Sequence, residues 1–119
     1  MRLLSAFLVA ALISSTPTWA GEADVVSVKA LKTGGTWRFD VTVRHDDTGW
    51  DHYADGWGVY TLDGTQLGYR ELLHPHVDEQ PFTRSLGGVK VPDGVNRVVI
   101  RAHDSVHGNG GREVTVELK

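Results

Sequence analysis

The chain has 119 residues, of which 12 are basic and 15 are acidic, and its formal net charge is −3. This balance argues against a nucleic-acid partner, which would need a clustered basic face. The sequence contains no cysteine and its one methionine is Met1, so disulfides and thiolate ligands are excluded, and residues 21–119 offer no thioether.

Residues 1–20 have the layout of a secretory signal peptide. Arg2 precedes the apolar stretch 3–13, and the small residues Thr18 and Ala20 stand at the minus-three and minus-one positions of a cleavage site. The stretch is shorter than the ~20 apolar residues that usually span a bilayer, which disfavours the alternative of an uncleaved membrane anchor. We therefore predict cleavage after Ala20 and a protein in the periplasm, or secreted, with no membrane association after cleavage.

The remaining residues, 21–119, are predicted to form one β-domain. Residues 23–32 and 36–45 carry β-branched side chains in period-two alternation, which is typical of half-buried strands. Five further segments follow this pattern at 57–62, 65–73, 81–91, 95–103 and 112–119. No window has the spacing of an amphipathic helix, because proline, glycine and aspartate interrupt each candidate.

Turn signals separate these segments and indicate the topology. Gly34-Gly35 marks a tight turn, Asp63-Gly64 predicts a two-residue hairpin, and Pro92-Asp93-Gly94 marks a third turn. Seven short strands in about 100 residues predict an all-β fold, a seven-stranded antiparallel immunoglobulin- or fibronectin-like β-sandwich. A small barrel is the alternative.

The predicted strand order brings the histidines to one end of the sandwich. Alternate connections of an antiparallel sandwich lie at the same end. The second-to-third, fourth-to-fifth and sixth-to-seventh connections carry, in turn, His45 and His52, His74 and His76, and His103 and His107. The three turns at the opposite end contain no histidine.

This loop end is predicted to bind a metal ion. Imidazole and carboxylate groups converging from loops on a rigid scaffold are ligands for Cu(II), Zn(II) or Fe(II). The candidate ligands are His45, His52, His74, His76, His103, His107 and Asp104, with Asp78 as a further oxygen donor. Copper and zinc are the leading ions and iron is the third.

Individual motifs also have other interpretations. His74-Pro75-His76 could aim two rings at one ion, because residues two apart in an extended chain point to the same side, but a solvated turn has the same sequence. His45 ends the apolar face of its strand and could be a rim histidine satisfied by a backbone carbonyl. The acidic loop 45–55 could bind calcium, although it lacks the order of an EF-hand loop.

A protein-interaction module and a serine hydrolase are two further function classes that we compare with metal binding. Loops rich in histidine and acidic residues could contact a periplasmic protein partner and change charge between about pH 5 and 7, which describes a non-catalytic interaction module. A serine hydrolase is disfavoured, because the sequence has no Gly-x-Ser-x-Gly elbow. Catalytic residues are therefore not assigned.

Two stretches resemble a known family. Residues 44–57, "RHDDTGWDHYADGW", and 102–111, "AHDSVHGNGG", are similar to the ligand-bearing connections of the superoxide reductase, or desulfoferrodoxin-like, domain. That domain is an immunoglobulin-like sandwich, and the resemblance implies an iron site with His45, His52 and His107 at ligand positions and His103 near the thiolate. It also implies a small redox enzyme acting on superoxide.

The chain departs from this family in three respects. It has no cysteine for the axial sulfur ligand. Its spacing before His107 is longer by one, and residues 74–85 have no counterpart. The whole chain is more similar to small uncharacterised bacterial periplasmic proteins with immunoglobulin-like domains, a resemblance that implies no function.

Overall fold

The protein is described by a computed structural model that covers residues 21–119, so the predicted signal peptide lies outside the described residues. The strands are β1 (Asp24–Thr33), β2 (Thr36–Arg44), β3 (Ala54–Tyr60), β4 (Gln66–Glu71), β5 (Phe82–Val89), β6 (Arg97–Asp104), β7 (Gly108–Asn109) and β8 (Val114–Glu117). Within residues 21–119 no helix is long and apolar enough to cross a membrane.

The strands form two antiparallel sheets. One has the order β1-β2-β5, and the other has the order β4-β3-β6-β7, with β8 also paired to β6. The all-β, antiparallel prediction is confirmed. The strand count differs from the predicted seven, because residues 108–109 form a short additional strand against the end of β6.

The apolar core lies between the sheets and follows the predicted alternation. Phe39, Val41 and Val43 on β2 are fully buried, as is Trp57 on β3. Because successive side chains of a strand face opposite sides, the intervening residues of β2 are more exposed.

The connection between β3 and β4 differs from the prediction of a two-residue hairpin. It spans residues 61–65, and Thr61 N–H donates to the Thr65 carbonyl at 2.8 Å. Gly64 does adopt a positive φ of 94°, which a residue with a side chain would rarely adopt. The Asp63 carboxylate accepts a hydrogen bond from Thr65 N–H, and this bond stabilises the longer turn.

Candidate metal centre

Two strand ends place the inner residues of the site. His45 directly follows β2 and continues its buried face, while Asp104 is the last residue of β6 and also faces inward. Their strands belong to different sheets, so the site lies between the sheets at one end of the sandwich. His52 reaches the same point from the connection between β2 and β3.

His45, His52 and Asp104 form a compact group of potential ligands. One ligand atom from each lies within 4.8 Å of the other two. His45 Nε2 is 3.2 Å from His52 Nε2, and His52 Nε2 is 3.1 Å from an Asp104 carboxylate oxygen. Two ligands of a tetrahedral Zn(II) ion are ~3.3 Å apart when each bond is ~2.0 Å. A buried His/Asp group that could hold a metal ion is therefore present.

His107 lies at the edge of this group. Its Nδ1 is 3.2 and 3.3 Å from the two Asp104 oxygens, and its ring centroid is 5.0 Å from that of His52. About a third of its side chain, 31%, is exposed. His107 is therefore placed as a further nitrogen donor on the solvent side.

Asp104 is positioned by the loop that follows it. Its Oδ1 accepts hydrogen bonds from Val106 N–H at 2.9 Å and from His107 N–H at 2.7 Å. Burial raises the pKa of Asp104, but these backbone donors and the nearby imidazoles of His107 and His45 outweigh burial, so the pKa lies below its ordinary value. The carboxylate is therefore ionised although its side chain is fully buried.

Asp47 orients His45 from the side opposite the cluster. His45 Nδ1 lies 2.6 Å from Asp47 Oδ1, and both side chains are fully buried. A neutral imidazole that donates Nδ1–H to this carboxylate keeps the Nε2 lone pair free for a metal ion, as in carboxylate–histidine–metal arrangements. Burial raises the pKa of Asp47, but hydrogen bonds from His45, His76 N–H and Ala54 N–H bring it below its ordinary value.

The surroundings of His45 favour its protonated form. Burial lowers the pKa of His45, but the Asp47 hydrogen bond, the Gly21 carbonyl and the charge of Asp104 outweigh it, so the pKa lies above its ordinary value. In that state Nε2–H can donate to the Gly21 carbonyl oxygen at 2.8 Å. The surroundings of His45 therefore favour a positive charge at this point.

The His74-Pro75-His76 loop supports the site through its backbone. His76 N–H donates to Asp47 Oδ2 at 2.7 Å, while the His76 ring stacks on Phe82 at a centroid distance of 3.9 Å. Gln80 bridges the same loops, because its Oε1 accepts from His45 N–H and its Nε2 donates to the His76 carbonyl.

The structure places three predicted ligands away from the buried group. His74 is exposed, and its Nδ1 contacts the carbonyl of Pro75. His76 Nε2 accepts from Arg84 at 3.0 Å. His103 precedes Asp104 on β6 and faces the outer side of its sheet, where its Nδ1 contacts Asp55 at 2.5 Å. Asp78 is also exposed.

Two residues of the site, Gln80 and Gly21, were not among the sequence candidates, and Asp47 was considered only as part of the acidic loop 45–55. The His-x-Asp spacing of His45 and Asp47 was a usable signal, because such a carboxylate often orients a ligating histidine. Gln80 and Gly21 are 35 and 24 positions from His45, and no local pattern indicates contacts of that range.

Comparison with known proteins adds one sequence relative and one structural neighbour. No family model matches the chain. The chain is 50% identical over 99 residues to a Halomicrobium mukohataei protein named "Putative lipoprotein", with 82% of this chain and 48% of that protein covered. The chain thus spans about half the length of this relative.

The structural neighbour is a hypothetical protein from Pyrococcus horikoshii OT3. Its crystal structure matches with a TM-score of 0.55 and 17% sequence identity, and the match covers 87% of this chain and 94% of that one. At this level of identity the likeness supports the fold alone.

Proposed function

We propose that this is an exported metal-binding protein whose centre consists of His45, His52 and Asp104, with His107 as an outer donor. The observation that carries the proposal is the convergence of two imidazole Nε2 atoms and one carboxylate within 4.8 Å in a mostly buried position. Burying these groups costs desolvation free energy, which a bound cation would offset.

The charge of the buried group supports this proposal. The side chains of Asp47 and Asp104 are both fully buried, and both carboxylates have lowered pKa values. With neutral histidines the group would carry two buried negative charges that only hydrogen bonds offset, and a nearby positive charge would stabilise them further. A divalent ion held by Asp104 and the two Nε2 atoms would neutralise them.

Copper and zinc fit the donor set best. Imidazole nitrogen suits both ions, and Cu(II) stands at the top of the divalent affinity order. Two nitrogens and one carboxylate also form a three-ligand Zn(II) site with an open position. Such a protein can store, deliver or sense the metal by binding alone, and Fe(II) is the third ion that the donors accept.

Export is supported by two observations. Residues 1–20 have the pattern of a signal peptide. The relative that is 50% identical is named "Putative lipoprotein", and lipoproteins are a class of exported protein. We propose the periplasm as the location. The strand order also supports an immunoglobulin- or fibronectin-like sandwich, because β1, β2 and β5 share one sheet and β3, β6 and β8 the other.

Calorimetric titration of residues 21–119 with Cu(II) and Zn(II) tests metal binding. We expect one site tighter than about micromolar, or roughly −8 kcal/mol, and loss of that site in His52→Ala. His74→Ala is the matched control, because His74 is an exposed histidine of a neighbouring loop. Equal affinity in wild type and His52→Ala, or no site in wild type, contradicts the proposal.

A protein-interaction module is the second candidate, favoured by apolar side chains on the same loops. Trp50, Leu73, Val77 and Val106 are 54–73% exposed, and they lie in the loops that carry the histidines. An exposed apolar patch often marks a contact surface. This function predicts that the metal-free protein binds its partner and that Trp50→Ser weakens that binding without changing metal affinity. Copurification from periplasm with the apo-protein and with Trp50→Ser separates it from metal binding.

A redox enzyme similar to superoxide reductase is the third candidate. The resemblance implies His45, His52 and His107 as ligands, and the structure has the Asp104 carboxylate beside all three. A carboxylate would then take the role of the anionic donor. Stopped-flow measurement of superoxide decay with iron-loaded protein tests this, and a rate no higher than that of free iron contradicts it.

A further inference from the structure

The main chain of Gly21 lies against the candidate metal centre. Its carbonyl oxygen is 2.8 Å from His45 Nε2, the same nitrogen that faces His52 and Asp104. In a metal-bound state this nitrogen has no proton to donate, because Nδ1–H is directed at Asp47. The carbonyl oxygen would then be held close to the cation, where a backbone oxygen is a suitable donor.

The segment that carries Gly21 is anchored to the body of the domain. Ala23 is fully buried, and Val25 N–H donates to the Arg112 carbonyl at 2.7 Å. Arg112 N–H donates in turn to Asp24 Oδ1 at 2.7 Å. Gly21 is thus only two residues from a buried anchor, which restricts the positions that its carbonyl can reach.

Close packing around Gly111 shows how tightly this segment is held. A Cβ atom at Gly111 would lie 2.2 Å from the Ala23 carbonyl oxygen and 2.7 Å from Asp24 Oδ1. Around Gly21, by contrast, an added Cβ would meet no atom within 4 Å. The anchor is close-packed, while the side-chain direction of Gly21 is open.

Gly21 is also the residue that predicted signal-peptide cleavage would leave at the amino terminus. Hydrolysis of the Ala20–Gly21 bond by a signal peptidase consumes one water, leaves the new carboxylate on Ala20 and frees the α-amino group of Gly21. An amide nitrogen is a poor metal donor, whereas a free amine is a good one. The amine and the carbonyl oxygen of Gly21 share one Cα, so together they can close a five-membered chelate ring.

We propose that signal-peptide removal completes the metal centre, with the α-amino nitrogen and carbonyl oxygen of Gly21 joining His45, His52 and Asp104 as ligands. The uncleaved precursor then has a weaker site than the mature protein. Full metal affinity appears only after export, so the precursor does not compete for copper or zinc in the cytoplasm. This inference rests on the proposed metal-binding function and on cleavage after Ala20.

The first test compares two forms of the protein that differ only at the amino terminus. One begins at Gly21, and the other retains Trp19-Ala20, which keeps the Gly21 nitrogen in an amide bond. We expect Cu(II) affinity to fall by roughly tenfold or more in the longer form, as for the loss of a ligand of moderate strength. Intact mass of the protein exported from the full chain confirms the processed terminus; cleavage elsewhere overturns the inference.

The second test identifies the nitrogen directly. The protein is prepared with ¹⁵N-glycine, and the Cu(II) form is measured by electron–nuclear double resonance. A strong ¹⁵N coupling is expected in the form that begins at Gly21 and is absent from the longer form. A change in fold or loop packing alone would not produce this coupling.

The outcomes separate this inference from the proposed function. Equal Cu(II) affinity in both forms, with no ¹⁵N coupling, overturns the role of the Gly21 amine while the site at His45 and His52 stands. If His45→Ala and His52→Ala in the form that begins at Gly21 both keep wild-type affinity, the proposed metal centre itself is wrong. Weaker binding in the longer form, together with the coupling, supports both.

Discussion

Two histidine–carboxylate groups lie on opposite faces of the end of β6. On the inner face, Asp104 meets His52 with its own side chain fully buried. On the outer face, the preceding residue, His103, contacts Asp55 with side-chain exposures of 36% and 27%. Both are histidine–aspartate contacts, but the Asp104 side chain of the inner group is fully shielded from water. Burial therefore distinguishes the two groups, because solvent screens the charge of the outer pair, whereas the inner charges interact strongly with their neighbours.

Loss of the inner carboxylate is expected to have the largest effect. Asp104→Asn keeps the size and the oxygen that accepts the Val106 and His107 N–H groups, but it removes the negative charge. Cu(II) or Zn(II) affinity should fall by about 100-fold or more, beyond the 10–100-fold typical of an outer-shell change. Calorimetry measures this, with circular dichroism to confirm the fold. A fall of less than about threefold, roughly 0.7 kcal/mol, would place the metal elsewhere.

The residue behind His45 should have the next largest effect. Asp47→Asn weakens the contact that orients His45 and should reduce metal affinity by about 10–100-fold. It also disturbs three buried hydrogen bonds, so the free energy of unfolding of the apo-protein should fall by about 1–3 kcal/mol. Metal titration and urea unfolding give the two values. Asp46→Asn, on the exposed neighbouring residue, is the control and should change neither.

The inner group should also give the apo-protein a characteristic pH dependence. Because the pKa values of Asp47 and Asp104 are lowered, their stabilisation is present above about pH 4 and is lost as the pH falls through the folded-state values. Because the pKa of His45 is raised, its stabilisation is present below about pH 6.5 and is lost as the pH rises through the folded-state value.

Urea unfolding in the presence of a chelator, across about pH 3 to 8, should therefore show a loss of stability below about pH 4 and a His45-dependent loss above about pH 6.5. The lowered pKa of His76 acts in the opposite direction near pH 6.5, and its contribution should remain in His45→Gln. In His45→Gln the loss above about pH 6.5 should disappear while the acidic loss remains. Above about pH 6, metal affinity should rise as the pH rises, because the metal competes with the His45 proton. The stability of the apo-protein should fall over the same range. If His45→Gln still loses stability above about pH 6.5 to the same extent as wild type, another group titrates there.

The outer pair should have the smallest effect. His103→Ala removes a partly exposed contact with Asp55, and such pairs contribute about 0–1 kcal/mol to stability. Metal affinity should not change, although His103 is adjacent to Asp104 in the chain. A tenfold loss of affinity in His103→Ala would mean that the outer face takes part in binding, and the contrast between the two faces would fail.

The sequence alone was sufficient for the all-β antiparallel class and for seven of the eight strands within residues 21–119. Period-two alternation determines which residues of β2 face the core, and it depends only on neighbours in the chain. The alternation on β6 also places the adjacent residues His103 and Asp104 on opposite faces of the sheet. The Asp63-Gly64 signal placed the turn correctly, but hydrogen bonds of Thr61 and Thr65 made it longer than two residues.

Only the tertiary structure decided which histidines meet. Loops have no period that sets the direction of a side chain, so His52 and His76 were equivalent candidates in the sequence. The His76 ring turns to Phe82, while its backbone holds Asp47 across 29 positions, and His52 turns inward to Asp104 across 52 positions. Contacts over such distances follow from the packing of two sheets against each other, which the local pattern of residues does not encode.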